Sequence, residues 1–83
     1  MENYLSEKQI KNLDFFKSNI DEFLKNKLFE NKFLVVYDQE IKNSFDTFEN
    51  ALDFALRNFP TGEFIIQQVI DYKKIINFIR SAV

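Results

Sequence analysis

The chain contains no cysteine, no histidine and no tryptophan, and its 83 residues include one glycine and one proline. Without cysteine there is neither a disulfide nor a thiolate nucleophile. Without cysteine and histidine the usual zinc ligands are missing, and so is imidazole acid–base chemistry near neutral pH. Cysteine usage gives no sign of an oxidising compartment. Long apolar runs are lacking too, since no stretch approaches the ~20 residues that span a bilayer. The first eight residues, MENYLSEK, are polar and acidic, unlike a secretion signal. These absences lead us to expect a soluble, cytoplasmic protein with no membrane segment and no cofactor.

Phenylalanine is what the chain has in quantity, with 11 Phe and 3 Tyr. Rings in that number demand either a dense aromatic core or apolar surface reserved for a partner. Charge is nearly balanced overall at −2 but uneven along the chain. Residues 1–32 carry six acids and six bases. Residues 33–63 carry six acids against Lys42 and Arg57, a net of −4. Residues 64–83 carry Asp71 against Lys73, Lys74 and Arg80, a net of +2. An acidic middle repels phosphate, which disfavours nucleic acid there and favours a basic protein partner.

Hydropathy patterning predicts one α+β domain over residues 1–83 in the order α-β-β-α-β-α. Ser6 with Gln9 three residues on is a capping-box pattern that opens a helix over 6–28. Ile10, Leu13, Phe16, Ile20, Phe23 and Leu24 form its apolar stripe, and Asn26 and Asn31 are suited to ending it. Residues 31–70 read as a ββαβ unit. Its first strand, Phe33-Leu34-Val35-Val36-Tyr37, is apolar towards both faces. A turn at Asp38-Gln39 or Gln39-Glu40 leads into an edge strand on which Ile41, Asn43 and Phe45 alternate with Lys42 and Ser44. A crossover helix lies between Phe45 and Pro60, with Asp46 as N-cap, Glu49 completing a capping box, and Phe48, Ala51, Leu52, Ala55, Leu56 and Phe59 as its stripe. Residues 64–70 make the third strand, and Asp71 caps a helix over 71–83. The product is a small, mainly antiparallel three-stranded sheet with the Phe33 strand in the middle and helices packed on it. The first two helices are expected to cover one face. The C-terminal helix or a second chain is expected to cover the other.

Residues 31–70 resemble a group of small bacterial domains with no assigned activity. These share a strand, a short hairpin, a D-T-[FY]-E-E-A helix and a final strand near F-[LIV]-[IV]-[QR]-[QE]-[VI]. The matching residues are Lys32 to Val36, Phe45 to Ala51, Arg57-Asn58-Phe59, and Phe64 to Val69. Asn50 replaces the second acid, and no glycine follows Phe59. The resemblance implies a fold and no chemistry. The strand-then-helix segment is also similar, more faintly, to HicB-type antitoxins, which carry a D-T-x-E-x-A-L helix; their additional strand and DNA-binding tail have no counterpart here.

Three patterns compete for a functional reading. Asp38 to Glu49 mimics a 12-residue calcium loop, with acids at positions 1, 3, 9 and 12. Lys42 stands where an oxygen ligand belongs and Asn43 where the turn wants glycine, so no metal is expected. Phe33, Tyr37 and Phe64 on strands would suit a single-stranded nucleic-acid binder, but the acidic neighbourhood and scarce arginine argue against it. The third pattern is the apolar residues outside the helix stripes. Phe54 lies off its helix's stripe, Phe15 lies nearly opposite its own, and Phe78 sits at a margin. With Asp46, Glu49, Asp53 and Arg57 as a polar rim, these form a candidate partner-binding surface. The expected function is a non-enzymatic protein-interaction module, specifically a small acidic inhibitor of the antitoxin, immunity or anti-defence kind. The alternatives are a homodimer formed through the sheet face and a single-stranded nucleic-acid binder.

Overall fold

Ser6 opens the first helix as its sequence demands. Its hydroxyl accepts the Gln9 amide at 3.1 Å, and the Gln9 side chain accepts the Ser6 amide at 2.9 Å, closing a capping box. The computed structural model describes residues 5–71. Helix α1 runs Glu7–Ser18 and α2 runs Ile20–Lys25. The single helix expected over 6–28 is therefore two. Asn19 breaks it: its side-chain amide donates to the Phe15 carbonyl at 2.9 Å, so side chain and backbone compete for the same acceptor. Asn26 caps α2, and Asn31 takes a positive φ of 64° on the way to the sheet.

Strands β1 (Phe33–Tyr37), β2 (Glu40–Phe45) and β3 (Phe64–Gln68) form a sheet of order β2-β1-β3, with both pairs antiparallel. The β1–β2 hairpin closes through Asp38 and Gln39, whose φ values of 54° and 58° define a primed two-residue turn. Between Val35, paired with Asn43, and Val36, paired with Ile41, the register slips by one residue, leaving Lys42 as a bulge. The expected alternation of Ile41, Asn43 and Phe45 on one face is corrected here. An extra residue reverses the pleat, so Ile41 packs on the α1 side and Phe45 on the opposite side.

Each face of the sheet has its own core. Leu34, Val36, Ile65 and Val69 pack against Phe16 and Phe23 from α1 and α2. Val35 and Phe64 pack against Ala51 and Ala55 of α3 (Phe48–Asn58), flanked by Phe33, Tyr37 and Phe45. The expectation that the first two helices share a face is corrected: α1 and α3 lie on opposite faces. The connection from one edge strand to the other carries α3 across β1 on the face that α1 leaves vacant. The Phe33 strand thus finds cover on both sides within its own chain, and Leu34, Val35 and Val36 are buried. The C-terminal helix expected over 71–83 falls outside the described residues from 72 onward.

The N-terminus of α3 also differs from expectation. Thr47 is the N-cap, its hydroxyl accepting the Asn50 amide at 3.1 Å. Asp46 instead receives the Lys32 ammonium. Thr and Asp stand side by side here and both can cap a helix; the lysine across the hairpin draws the aspartate away.

Candidate interaction surface

Most of the phenylalanines are consumed by packing. Phe15, Phe16 and Phe29 all contact Phe23 on one face, at ring-centroid distances of 6.2, 5.5 and 5.8 Å. On the other face Tyr37 stacks on Phe59 at 4.4 Å, Phe59 meets Phe54 at 6.0 Å, and Phe54 meets Phe45 at 5.4 Å. Phe54 and Phe15 are therefore half-buried members of intramolecular ring clusters. Phe33 and Tyr37, which an open stacking platform would need free, lie against Phe48 and Phe59, and Phe64 is buried. Phe78 lies outside the described residues.

The charged residues named from sequence do converge. Glu49, Asp53 and Arg57 recur at four-residue spacing and make an exposed ridge along the outer side of α3, with Asp46 just before its first turn. Arg57 donates to Asp53 at 3.1 Å, an exposed i,i+4 pair of small energetic weight. The Glu49 carboxylate has no ion pair or hydrogen bond among the described residues. Phe54 flanks this ridge on the β2 side. On the β3 side lie Leu56, Leu52 and Phe48, and Phe48, at 46% exposure, is the most open described phenylalanine.

That second flank opens into a groove of about 260 Å³, lined chiefly by Leu5 and Gln9 at the start of α1, Phe48 and Leu52 of α3, and Ile66 and Gln67 of β3. It crosses the edge of the sheet. The amide of Val69 bonds inward to Lys32, so antiparallel alternation turns the backbone groups of Ile66 and Gln68 towards the outer edge. Further up the strand α1 takes over: Gln9 donates to the Phe64 carbonyl at 3.1 Å and Ser6 to the Gly62 carbonyl. Gly62 sits at φ 87° in the turn after Pro60, a conformation suited to glycine. Among the described residues no strand pairs with this edge of β3.

A second, polar cleft of about 150 Å³ lies between α1 and the hairpin turn, lined by Lys8, Lys11, Asn12, Tyr37, Asp38, Gln39 and Glu63. Lys8 pairs with Glu63 at 3.1 Å, and that hydrogen bond and the carboxylate charge raise its ammonium above the ordinary lysine value. Asn12 is 1% exposed, and both ends of its amide are engaged: it accepts from the Gln39 amide at 2.7 Å and donates to the Glu63 carbonyl at 2.9 Å. The calcium-like stretch is half a hairpin, with Lys42 bonded to Glu40 at 2.7 Å. This pairing lowers the Glu40 carboxyl and raises Lys42. No group of three or more acids that could hold a metal ion occurs among the described residues, and none of their helices is long and apolar enough to cross a membrane.

Sequence reading passed over the groove, although its signals were present. Phe48 opens α3, and Ile66 lines the same groove from β3, which among the described residues is an edge strand of the sheet. No family model, curated protein or solved structure matches this chain.

Proposed function

We propose that the chain is a non-enzymatic protein-interaction module, a small acidic inhibitor of the antitoxin, immunity or anti-defence kind that covers a basic surface on its target. The observation that supports this is the outer side of α3. There Asp46, Glu49 and Asp53 stand exposed beside Phe48 and Leu56, with the outer edge of Phe54 on the other flank. Exposed acids between two apolar flanks combine charge with contact area: the acids steer basic partners while repelling nucleic acid, and the flanks supply surface to bury. The fainter likeness of the strand-then-helix segment, with its Asp46-Thr47-Phe48-Glu49-Asn50-Ala51-Leu52 run, to HicB-type antitoxins agrees with this reading.

The test compares the full chain with an Asp46→Lys/Glu49→Lys/Asp53→Lys variant as baits in extract from the native host. The expected result is a protein with a basic surface retained by the parent chain at low ionic strength, released by salt and absent from the variant. Identical retention by both baits overturns the reading. Self-association is the second reading, supported by the β3 edge because both sheet faces are already covered by α1, α2 and α3. Light scattering at the mass of two 10.0-kDa chains would favour it.

A further inference from the structure

We propose that two copies of this chain join edge to edge along β3, antiparallel about a two-fold axis at Ile66. The two three-stranded sheets then become one, with both α3 helices on the same face. The inference rests on the self-association reading above and gives it a surface, an orientation and a closing symmetry.

The two edges of the sheet are unlike. The β2 edge carries the bulge at Lys42 and the ion pair of Lys42 with Glu40, both of which discourage another strand from adding there. From Phe64 to Ile70 the other edge has no charged residue, no proline and no glycine. Gln9 takes the Phe64 carbonyl, and the outward backbone groups of Ile66 come next along the strand. Among the described residues no strand pairs with them. An uncharged strand meets its own copy without like charges opposed, and an axis at Ile66 lets the two Ile66 residues exchange both N–H···O bonds. Pairing β3 with the β2 edge of another copy would run into the bulge and would propagate as a filament. Pairing β3 with itself closes at two.

An independent observation lies above the same seam. Phe48 meets Phe33 and Phe59 stacks on Tyr37, so α3 runs along β1. In the joined sheet the two β1 strands are three strand spacings apart, ~14 Å, and so are the helices above them. Helices in contact through ordinary side chains lie ~8–10 Å apart, so large apolar side chains must fill the difference. Phe48, Leu52 and Leu56 stand at four-residue spacing on the β3 flank of α3, and Phe48 and Leu56 are exposed. The two-fold axis lays that row against its own reversed copy. Below it the groove between Phe48 and Leu52 on one side and Leu5 and Gln9 on the other is the slot that an added strand enters.

Charge permits this arrangement. Glu49 and Asp53 lie on the side of α3 away from Ala51 and Ala55, so they point away from the sheet and stay outside the seam. At ~14 Å the two acidic ridges are separated by more than the ~8 Å screening length at physiological salt. The dimer therefore leaves them open to a basic target.

The test combines light scattering over a concentration series with amide exchange of the full chain. We expect the mass of two 10.0-kDa chains with no growth beyond it, and exchange at the Ile66 amide at least about tenfold slower than after dilution to monomer. Ile66→Pro removes the outward N–H and spares the inward bonds of Ile65 and Gln67, and Leu56→Lys charges the exposed row. Each variant should give the mass of one chain while its hairpin signals report a folded domain; should Ile66→Pro not fold, Leu56→Lys decides. A single-chain mass at every concentration with a fast Ile66 amide overturns the inference together with the self-association reading. A two-chain mass that survives a folded variant, or that leaves the Ile66 amide exchanging freely, overturns the inference alone and moves the interface elsewhere. A single-chain mass with a slow Ile66 amide overturns it by assigning the edge to the same chain, and growth past two chains overturns the closed symmetry.

Discussion

Asn12 holds together three segments that are far apart in the chain. One side-chain amide, shut off from water, joins α1 to the hairpin turn through the Gln39 amide and to the loop before β3 through the Glu63 carbonyl. Replacing it by alanine leaves a donor and an acceptor without their partner, so Asn12→Ala should cost about 1–3 kcal/mol in urea unfolding. Lys11→Ala, one position along on the exposed side, should change stability by less than about 0.5 kcal/mol. The turn beneath Asn12 holds two left-handed residues, neither a glycine. Aspartate tolerates that conformation, but a glutamine has no local compensation for it. Gln39→Gly keeps the backbone amide that Asn12 accepts, and should raise stability by about 0.5–1 kcal/mol, read as a higher urea midpoint.

At the scale of elements, the helix caps show where sequence is legible and where it is not. The Ser6–Gln9 box was readable because both partners lie within one turn and depend on nothing beyond it. The α3 cap was not, because Lys32 on another segment decides between Asp46 and Thr47. Thr47→Ala should therefore lose about 1 kcal/mol and Asp46→Ala, which breaks only an exposed ion pair, about 0.5 kcal/mol or less. Equal losses in thermal unfolding would restore Asp46 as the cap. The same distinction holds for the rest of the fold. Strand identity and strand order follow from local composition; the sequence leaves two turns open, and it is the positive φ of Asp38 and Gln39 that pairs Tyr37 with Glu40. The break at Asn19 and the bulge at Lys42 depend on which acceptor or partner strand is nearby, and no periodicity within one segment reveals that. The candidate surface was legible to the same degree. Spacing along α3 put Glu49, Asp53 and Arg57 on one ridge, but whether Phe54 or Phe48 stays open depends on how far the sheet extends beneath the helix.

For the whole molecule, the lack of histidine predicts how stability responds to pH. The raised Lys8 and Lys42 contribute stability that is present below 10.5 and lost as pH climbs through their higher folded values. The lowered Glu40 contributes stability that is present above 4.5 and lost as pH falls through its lower folded value. Between about pH 6 and 9 no side chain with an ordinary value titrates, so the urea midpoint should be nearly constant there. Lys8→Met should weaken the alkaline decline and set the plateau slightly lower while leaving it flat, because the Glu63 pairing that raises Lys8 contributes at neutral pH and is lost with the ammonium. A step near neutral pH would contradict this assignment.

The surplus residue at Lys42 has a consequence for how the two layers are joined. Because of it, one short hairpin arm sends Ile41 into the core under α1 and Phe45 into the ring cluster under α3. Removing that residue would restore a regular pleat but force one of those side chains to change sides. Either the lower layer loses an aliphatic anchor or the upper one loses the ring that Phe54 leans on. A single irregular position in the edge strand thus acts as the rivet through both layers, and shortening the strand by one residue should loosen them together.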